Sequence, residues 1–441
     1  MTKILYIAYY FPPYQLTDSF RVSRVARFLP DNDIIPIVLT AFEGKHHWHE
    51  DILKELDARI KIHRVNNPIS YQRKNNVNLY RKDSKLVKIK NRTLMFMKDM
   101  ILSPDSYLLW AIKIIPRAVK LIRKHQIKHV MICLGPYSPA LTGYFLKKIT
   151  GVTYSLDYRD EWRSMLKPDQ ISFHREIKPE TSTRKLLNTF WEKRCVNNAS
   201  CVFSVSQTMT NYFIKEYPKQ KNCFPVHNGY VESDYQDVTI SQNSLEKNKD
   251  IIAFYYVGKI SVNSDSYNPI KMIAGFKKFL VSSSKKVELH IFGDVDQETK
   301  EKIKKFNIED NILYHGRIER SQLLPQLINA DVLVHFYYPD LHPEALSIKI
   351  FEYAFLCKPI VSFSNKEGEM ANFIEYTESG YTCWGNNEDE IADLFSKILD
   401  FPISNLFTSQ RAKRLEEFDF EKGVAFMADK IKSIIALQGE R

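Results

Sequence analysis

The sequence predicts an α/β fold of two parallel-sheet domains, on three observations. Apolar runs of strand length, such as Ile4 to Tyr10, His129 to Leu134, Ile251 to Val257 and Val332 to Phe336, alternate with amphipathic helical patterns. A polar stretch without apolar periodicity, QDVTISQNSLEKNKD over 236–250, separates two such series and reads as a linker. The 441 residues are enough for two separate cores, and 44% hydrophobic content suits a globular chain.

The opening MTKILYIAYYFPP reads as a first buried strand rather than a signal peptide: its apolar run is brief, no small-residue cleavage site follows, and it ends in a Pro-Pro turn. A helix from about Asp18, burying Phe20, Val22, Val25, Ala26 and Leu29, and a strand from Ile34 to Leu39 complete a βαβ opening. Arg21, in the first helical turn, is either a residue of the binding edge or an ordinary exposed arginine. His46, His47 and His49 flank Trp48 without an i, i+4 helical pair or a nearby cysteine, a weak ligand set, so no metal site is predicted. Residues 71–98 are basic and end in Leu94, Met95, Phe96 and Met97, which fits an interfacial membrane contact or, equally, a polar loop leading into a core helix.

The strand His129 to Leu134 leads into Gly135-Pro136-Tyr137-Ser138 and a helix from Ala140 to Ile149. The strand from Thr153 to Leu156 leads into Asp157-Tyr158-Arg159-Asp160-Glu161-Trp162. An arginine between carboxylates can be held rigid by ion pairs while one carboxylate binds hydroxyls or takes a proton. The same cluster also reads as a structural ion-pair network. Further on, Phe190 to Asn198 is predicted helical, Cys201 to Val205 extended, and Ser206 caps a helix from Thr208 to Tyr217, before a tight turn at Asn228-Gly229.

In the second half, the strand Ile251 to Val257 ends in Gly258-Lys259, and the stretch 331–361 reads as buried strand, polar loop, helix and buried strand. Ser347 is the expected N-cap, followed by Ile348 and Lys349, with Ile350, Phe351, Ala354 and Phe355 on the apolar face. In a parallel sheet such a loop and helix N-terminus form the usual binding edge, where free amides and the helix dipole favour an anion such as phosphate. Glu344 and Glu352, eight residues apart, bracket that edge, although two surface glutamates on an amphipathic helix would look the same.

The formal net charge of +11 suits an acidic partner, whether nucleotide, nucleic acid or anionic membrane. Between Arg73 and Leu156, 17 Lys and Arg stand against three acids, Asp83, Asp99 and Asp105, a basic face or a merely solvated one. Six scattered cysteines without a C-x-x-C pair point to reduced core thiols in a cytoplasmic protein. No run of 18 apolar residues is present, so no membrane span is expected. The chain lacks zinc-finger, RNA-recognition and basic-helix patterns, which disfavours a nucleic-acid binder, and no G-x-G-x-x-G follows a predicted strand, which disfavours an oxidoreductase.

Taken in order, Phe11-Pro12-Pro13 with Arg21, Asp105 to Trp110, Gly135-Pro136-Tyr137-Ser138, Asp157-Tyr158-Arg159-Asp160-Glu161-Trp162, Asn228-Gly229, Gly258-Lys259, and Glu344 to Glu352 with Lys349-Ile350-Phe351-Glu352-Tyr353 resemble the family-4 retaining glycosyltransferases. The branch with a D-x-R-D-x-W motif, found in bacterial surface polysaccharide biosynthesis, is the nearest likeness. Two departures stand out: Leu16-Thr17-Asp18-Ser19 replaces a glycine-rich turn, and Ser261 to Ser266 stands where the family often has a second basic residue.

The resemblance implies the GT-B fold, two Rossmann-like doubly wound domains facing a central cleft: residues 1–240 for the acceptor, 251–410 for the nucleotide sugar, and helices of 411–441 returning to the first domain. It implies transfer of a sugar from a nucleotide-diphosphate sugar, with retained configuration and without a metal or other cofactor, to a glycan or lipid-linked glycan. Gly258, Lys259, Ser347, Ile348, Lys349 and Glu352 are then the donor-binding set, with Glu352 on the ribose and Glu344 at the transferred sugar. Asp160 joins Glu344 as a candidate catalytic residue, and Arg21, Ser138, Asp157 and Arg159 are candidates on the acceptor side. The expected place is the cytoplasm, at the inner face of the membrane, with an anionic membrane surface among the partners and no nucleic acid. A sugar-nucleotide epimerase of the same fold and a non-catalytic basic binding protein are the alternatives.

Overall fold

The structure, a computed structural model, describes residues 1–13, 17–42, 51–68, 103–162, 182–235, 250–264, 267–337 and 346–439. The histidines at 46, 47 and 49, the basic stretch 71–98, the loop position Leu16, most of the 236–250 linker and Glu344 lie outside the described residues. The chain divides into two compact units, the first formed by residues 1–165, 179–227 and 423–441 and the second chiefly by 228–422.

The first unit is a seven-stranded parallel sheet: β1 (Thr2–Ile7), β2 (Ile34–Phe42), β3 (Lys61–Asn66), β4 (His129–Leu134), β5 (Thr153–Tyr158), β6 (Cys201–Ser204) and β7 (Cys223–Pro225), in the order β3-β2-β1-β4-β5-β6-β7. Its central strands are continuous apolar runs because both faces are covered. β4 is buried along its whole length, and Val130, Ile132 and Leu134 share one core with Leu5, Ile7 and Trp110. The helices α1 (Thr17–Phe28), α2 (Ile115–His125), α3 (Pro139–Thr150) and α4 (Ser182–Asn198) are among those that cover the faces. α3 ends on Gly151 in the left-handed region, as helices commonly do.

The second unit repeats the scheme with β8 (Ile251–Val257), β9 (Lys286–Phe292), β10 (Ile312–Gly316), β11 (Val332–Phe336), β12 (Ile360–Phe363) and β13 (Gly380–Cys383), in the order β10-β9-β8-β11-β12-β13. All neighbours are parallel. α5 (Arg320–Leu327), α6 (Ile348–Phe355), α7 (Glu369–Tyr376) and α8 (Ser409–Glu416) flank this sheet. One core packs Phe254, Phe276, Phe279 and Phe395 against one face, and another packs Ile350, Phe351 and Tyr353 of α6 with Leu333 and Ile360. Both sheets, numbered within each unit, begin 3-2-1-4-5-6, so each has one point where the winding reverses. In sheets of this kind ligands bind outside the strands' carboxyl ends at that point, which here lies beyond β1 and β4 in the first unit and beyond β8 and β11 in the second.

Candidate active site

In the second unit the switch point lies between β8 and β11, which pair through Val332 with Phe254, Leu333 with Tyr255 and Val334 with Tyr256. β8 runs into Gly258, whose amide donates to the Phe292 carbonyl at 2.8 Å. Gly258 adopts a φ of 142°, and a Cβ there would come within 2.3 Å of Lys349 Nζ. Gly293, at the end of β9, has a φ of 151°, and a Cβ on it would come within 2.1 Å of the Gly258 carbonyl oxygen. Two bare backbone positions therefore let the ends of β8 and β9 close together and admit the Lys349 side chain above them.

Lys349 is the second residue of α6. Its ammonium lies 5.6 Å from the centre of the Tyr256 ring, and among the described residues it has neither a hydrogen bond nor an ion-pair contact. Burial pushes its pKa down to about 8, against the opposing pull of Glu352. The buried imidazole of His335 on β11 is held neutral by burial first and then by the Lys349 charge, with its pKa pushed down to about 3. Ser347 is the N-cap of α6, with extended backbone (φ −67°, ψ 136°), and its side chain makes no capping bond. Its hydroxyl and the amides of the first turn, including that of Ile348, are the polar groups that α6 presents next to Lys349. Tyr353 Oη accepts from the Val257 amide at 3.2 Å, which fixes α6 to the end of β8.

Glu352 is buried, 7% exposed, and pairs with Arg320 Nη2 at 2.8 Å. Arg320 also reaches Asp234 at 3.3 Å. Burial opposes the Arg320 charge, but Glu352, followed by Tyr235 and Asp234, outweighs it, so the guanidinium's pKa is raised. At its other end α6 is held by Arg411 of α8, whose buried guanidinium donates to the carbonyls of Ala354 at 2.5 Å, Leu406 at 2.9 Å and Thr377 at 3.0 Å. Lys259 is exposed, with its own carbonyl accepting from Tyr256 Oη at 3.1 Å. The structure thus brings Gly258, Ser347, Ile348, Lys349 and Glu352 together at one sheet edge, with Lys259 at its rim.

In the first unit the charged candidates meet one another. Arg21 donates from Nε and Nη2 to Asp157, the shortest contact being 2.8 Å, with both side chains almost wholly enclosed. Burial works against the guanidinium, yet the charge and hydrogen bonds of Asp157 prevail and raise its pKa. Ser138 Oγ donates to Asp105 at 2.5 Å, and the amides of Tyr137 and Ser138 donate to the same carboxylate at 2.7 and 3.1 Å. Asp105 therefore ties the loop after β4, while Trp162, beyond β5, stacks on Tyr137 with ring centres 5.6 Å apart. Arg159 is half-buried and lies 3.6 Å from the largely exposed Asp160. Sequence reasoning missed Arg320, Asp234 and Arg411 altogether, and no local pattern marks them. It noted Asp105 only as part of a motif, not as the anchor of Ser138.

Residues 237–415 match the family model described as "Glycosyl transferases group 1". Among solved structures, the chain is similar to a sucrose-phosphate synthase from Thermosynechococcus elongatus (14% identity, TM-score 0.62, 99% of this chain and 100% of that one). It is equally similar to the Anabaena protein HepE in complex with UDP and glucose (15% identity, TM-score 0.62, 98% and 100%). A third likeness is to the lipopolysaccharide outer core galactosyltransferase WaaB (14% identity, TM-score 0.58, 98% and 99%). Comparison with curated protein sequences gives no match. At these identities the structural likeness establishes the fold: two parallel-sheet α/β domains matching GT-B glycosyltransferases. The match of residues 237–415 to the group 1 glycosyltransferase model supports glycosyl transfer as the chemistry.

Proposed function

We propose that the protein is a retaining, metal-independent glycosyltransferase that moves a sugar from a nucleotide-diphosphate sugar to a glycan or lipid-linked glycan, in the synthesis of a bacterial capsule, O-antigen or exopolysaccharide. The observation that carries this reading is Lys349: a cation lowered by burial, over Gly258, beside an uncapped helix N-terminus, within the segment that matches the group 1 glycosyltransferases.

A diphosphate at that edge accepts hydrogen bonds from the first-turn amides of α6 and from Ser347, and its charge is met by Lys349, with Lys259 at the rim. These groups act on the leaving diphosphate, where negative charge grows as the glycosidic bond breaks. Glu352 takes the ribose hydroxyls while Arg320 holds its carboxylate in place. Glu344, outside the described residues, has the role of contacting the transferred sugar, and Asp160 that of an exposed carboxylate on the acceptor side. Arg21 and Asp157, already satisfied by each other, hold the acceptor unit's loops rather than the reacting atoms.

The test is a thermal-shift panel of the wild type and Lys349→Met against UDP-, GDP-, ADP- and dTDP-sugars. One nucleotide should stabilise the wild type by several degrees, with that response lost in the variant. Glu352→Ala is the poorer probe, since it also takes from Arg320 the nearer of its two carboxylates. In assays with an accepted donor, Lys349→Met should slow transfer by about 100-fold or more, the scale seen on removing one preorganised donor to a developing anion. A folded wild type that no nucleotide sugar stabilises would remove the donor assignment. Release of an isomerised nucleotide sugar without any acceptor would favour the epimerase.

A further inference from the structure

On the face of the first unit formed by α3 and α4, aromatic and basic side chains interleave. Phe145 of α3 meets Trp191 of α4 with ring centres 6.2 Å apart, and Phe190 meets Trp191 at 5.2 Å. Arg194 lies over the Phe190 ring at 4.3 Å, one turn along the helix, and Lys148 lies 5.9 Å from the Tyr144 ring. The apolar tips stand out from this layer: Leu186 is 71% exposed, Ile149 53% and Phe190 46%. Leu186, Phe190 and Arg194 follow at i, i+4 and i+8, so they form one stripe along α4.

Among the described residues, the exposed charge of these two helices has one sign: Lys148, Lys185, Lys193 and Arg194 are exposed, while Lys147 and Arg184 are half-buried and donate to the carbonyls of Asn198 and Pro104. The single acid of the two helices, Glu192, is 1% exposed and turned into the core, where it accepts from Tyr217 Oη at 2.7 Å and Tyr158 Oη at 3.4 Å. A second copy docking through the same face would set these cations against their equivalents, which disfavours a two-fold contact. A sheet of anionic headgroups is complementary. Apolar tips reach the acyl boundary, aromatic rings sit at headgroup depth, and lysine and arginine stems extend to the phosphates.

We propose that the α3–α4 face docks on an anionic lipid bilayer, with Leu186, Ile149 and Phe190 inserted and Lys148 and Arg194 on the headgroups. The docking deepens the reading of a lipid-linked acceptor and leaves the donor site independent of it. Two signals, apolar insertion and charge, give reversible peripheral binding rather than a permanent anchor.

The experiment is co-sedimentation of the full chain with vesicles of phosphatidylcholine alone or containing phosphatidylglycerol, at low and high salt. The proteins are the wild type, Lys148→Gln/Arg194→Gln and Leu186→Ser/Phe190→Ser. Wild type should sediment with the anionic vesicles and much less with the neutral ones, and salt should release it. The charge variant should partition about thirtyfold more weakly, the sum of two headgroup cations. The serine variant should lose binding even at low salt. Thermal shift with nucleotide sugar is measured on the same samples and should be unchanged in both variants, which separates a failed donor assignment from a failed docking surface. Equal sedimentation of wild type and variants, or no preference for anionic lipid, would overturn the proposal. So would a wild-type dimer in solution that Leu186→Ser/Phe190→Ser dissolves.

Discussion

Beside the switch point of the first sheet, Arg21 and Asp157 neutralise one another in the interior. At that of the second, Lys349 stands half-buried with no hydrogen bond or ion pair among the described residues. The strand order is the same, so the difference is one of chemistry rather than topology. A cation with an enclosed partner is a fastener, and removing either half leaves a charge in low dielectric. A cation whose pKa has been driven down has its electrostatic deficit made good by an arriving anion, which is what a binding site requires.

The largest expected effect comes from breaking the fastener. Asp157→Ala leaves the Arg21 guanidinium enclosed and uncompensated, and should destabilise the protein by about 3–5 kcal/mol in denaturant unfolding. A loss below about 1 kcal/mol would mean that the pair is solvated and open to substrate, and would erase the contrast.

The second effect sharpens the contrast through pH. With a folded pKa of about 8, below the ordinary lysine value of about 10.4, Lys349 makes the unfolded chain bind more protons between those limits. The cost to the ligand-free fold is therefore fully present below pH 8 and is relieved as pH rises from 8 towards 10.4. Binding of a diphosphate should raise the pKa again, so binding takes up a proton and affinity falls above pH 8 by up to about tenfold per pH unit. Calorimetric titration of the nucleotide from pH 7 to pH 9.5 reads this slope, and Lys349→Met should flatten it.

The smallest effect compares two helix starts. Ser206 Oγ accepts from the Met209 amide at 3.2 Å, whereas Ser347 makes no such bond. Ser206→Ala should cost about 1 kcal/mol of stability, and Ser347→Ala no more than about 0.5 kcal/mol while weakening nucleotide binding a few-fold. Equal stability losses would show that the Ser347 hydroxyl is already committed to its helix.

The strands at the centres of both sheets were readable because they are uninterrupted apolar runs: His129 to Leu134, Ile251 to Val257 and Val332 to Phe336 coincide with β4, β8 and β11. β3 (KIHRVN) and β13 (GYTC) escaped reading, and both are edge strands with little apolar sequence to announce them. The helix at Phe190 to Asn198 begins earlier, at Ser182, because STRKLLN is polar on its outer side and carries little periodicity. Of the candidate donor set, the positions at a strand end or in the first turns of α6 could be placed on their elements from local pattern. Their supports could not, since Asp105 holds Ser138 from 33 residues away and Arg411 holds Ala354 from 57. Pairings at that range are decided by how strands are ordered, which no local window contains.

Arg411 also sets the order in which the site can be finished as the chain is made. The carbonyls of Ala354, Thr377 and Leu406 all precede it in the sequence and receive their donor only when it arrives. A nascent chain that has emerged only as far as residue 400 already holds every donor-binding candidate, yet the last turn of α6 lacks the guanidinium that satisfies it. Completion of the candidate site would thereby wait on a residue outside the candidate donor set, late in the emergence of the second unit.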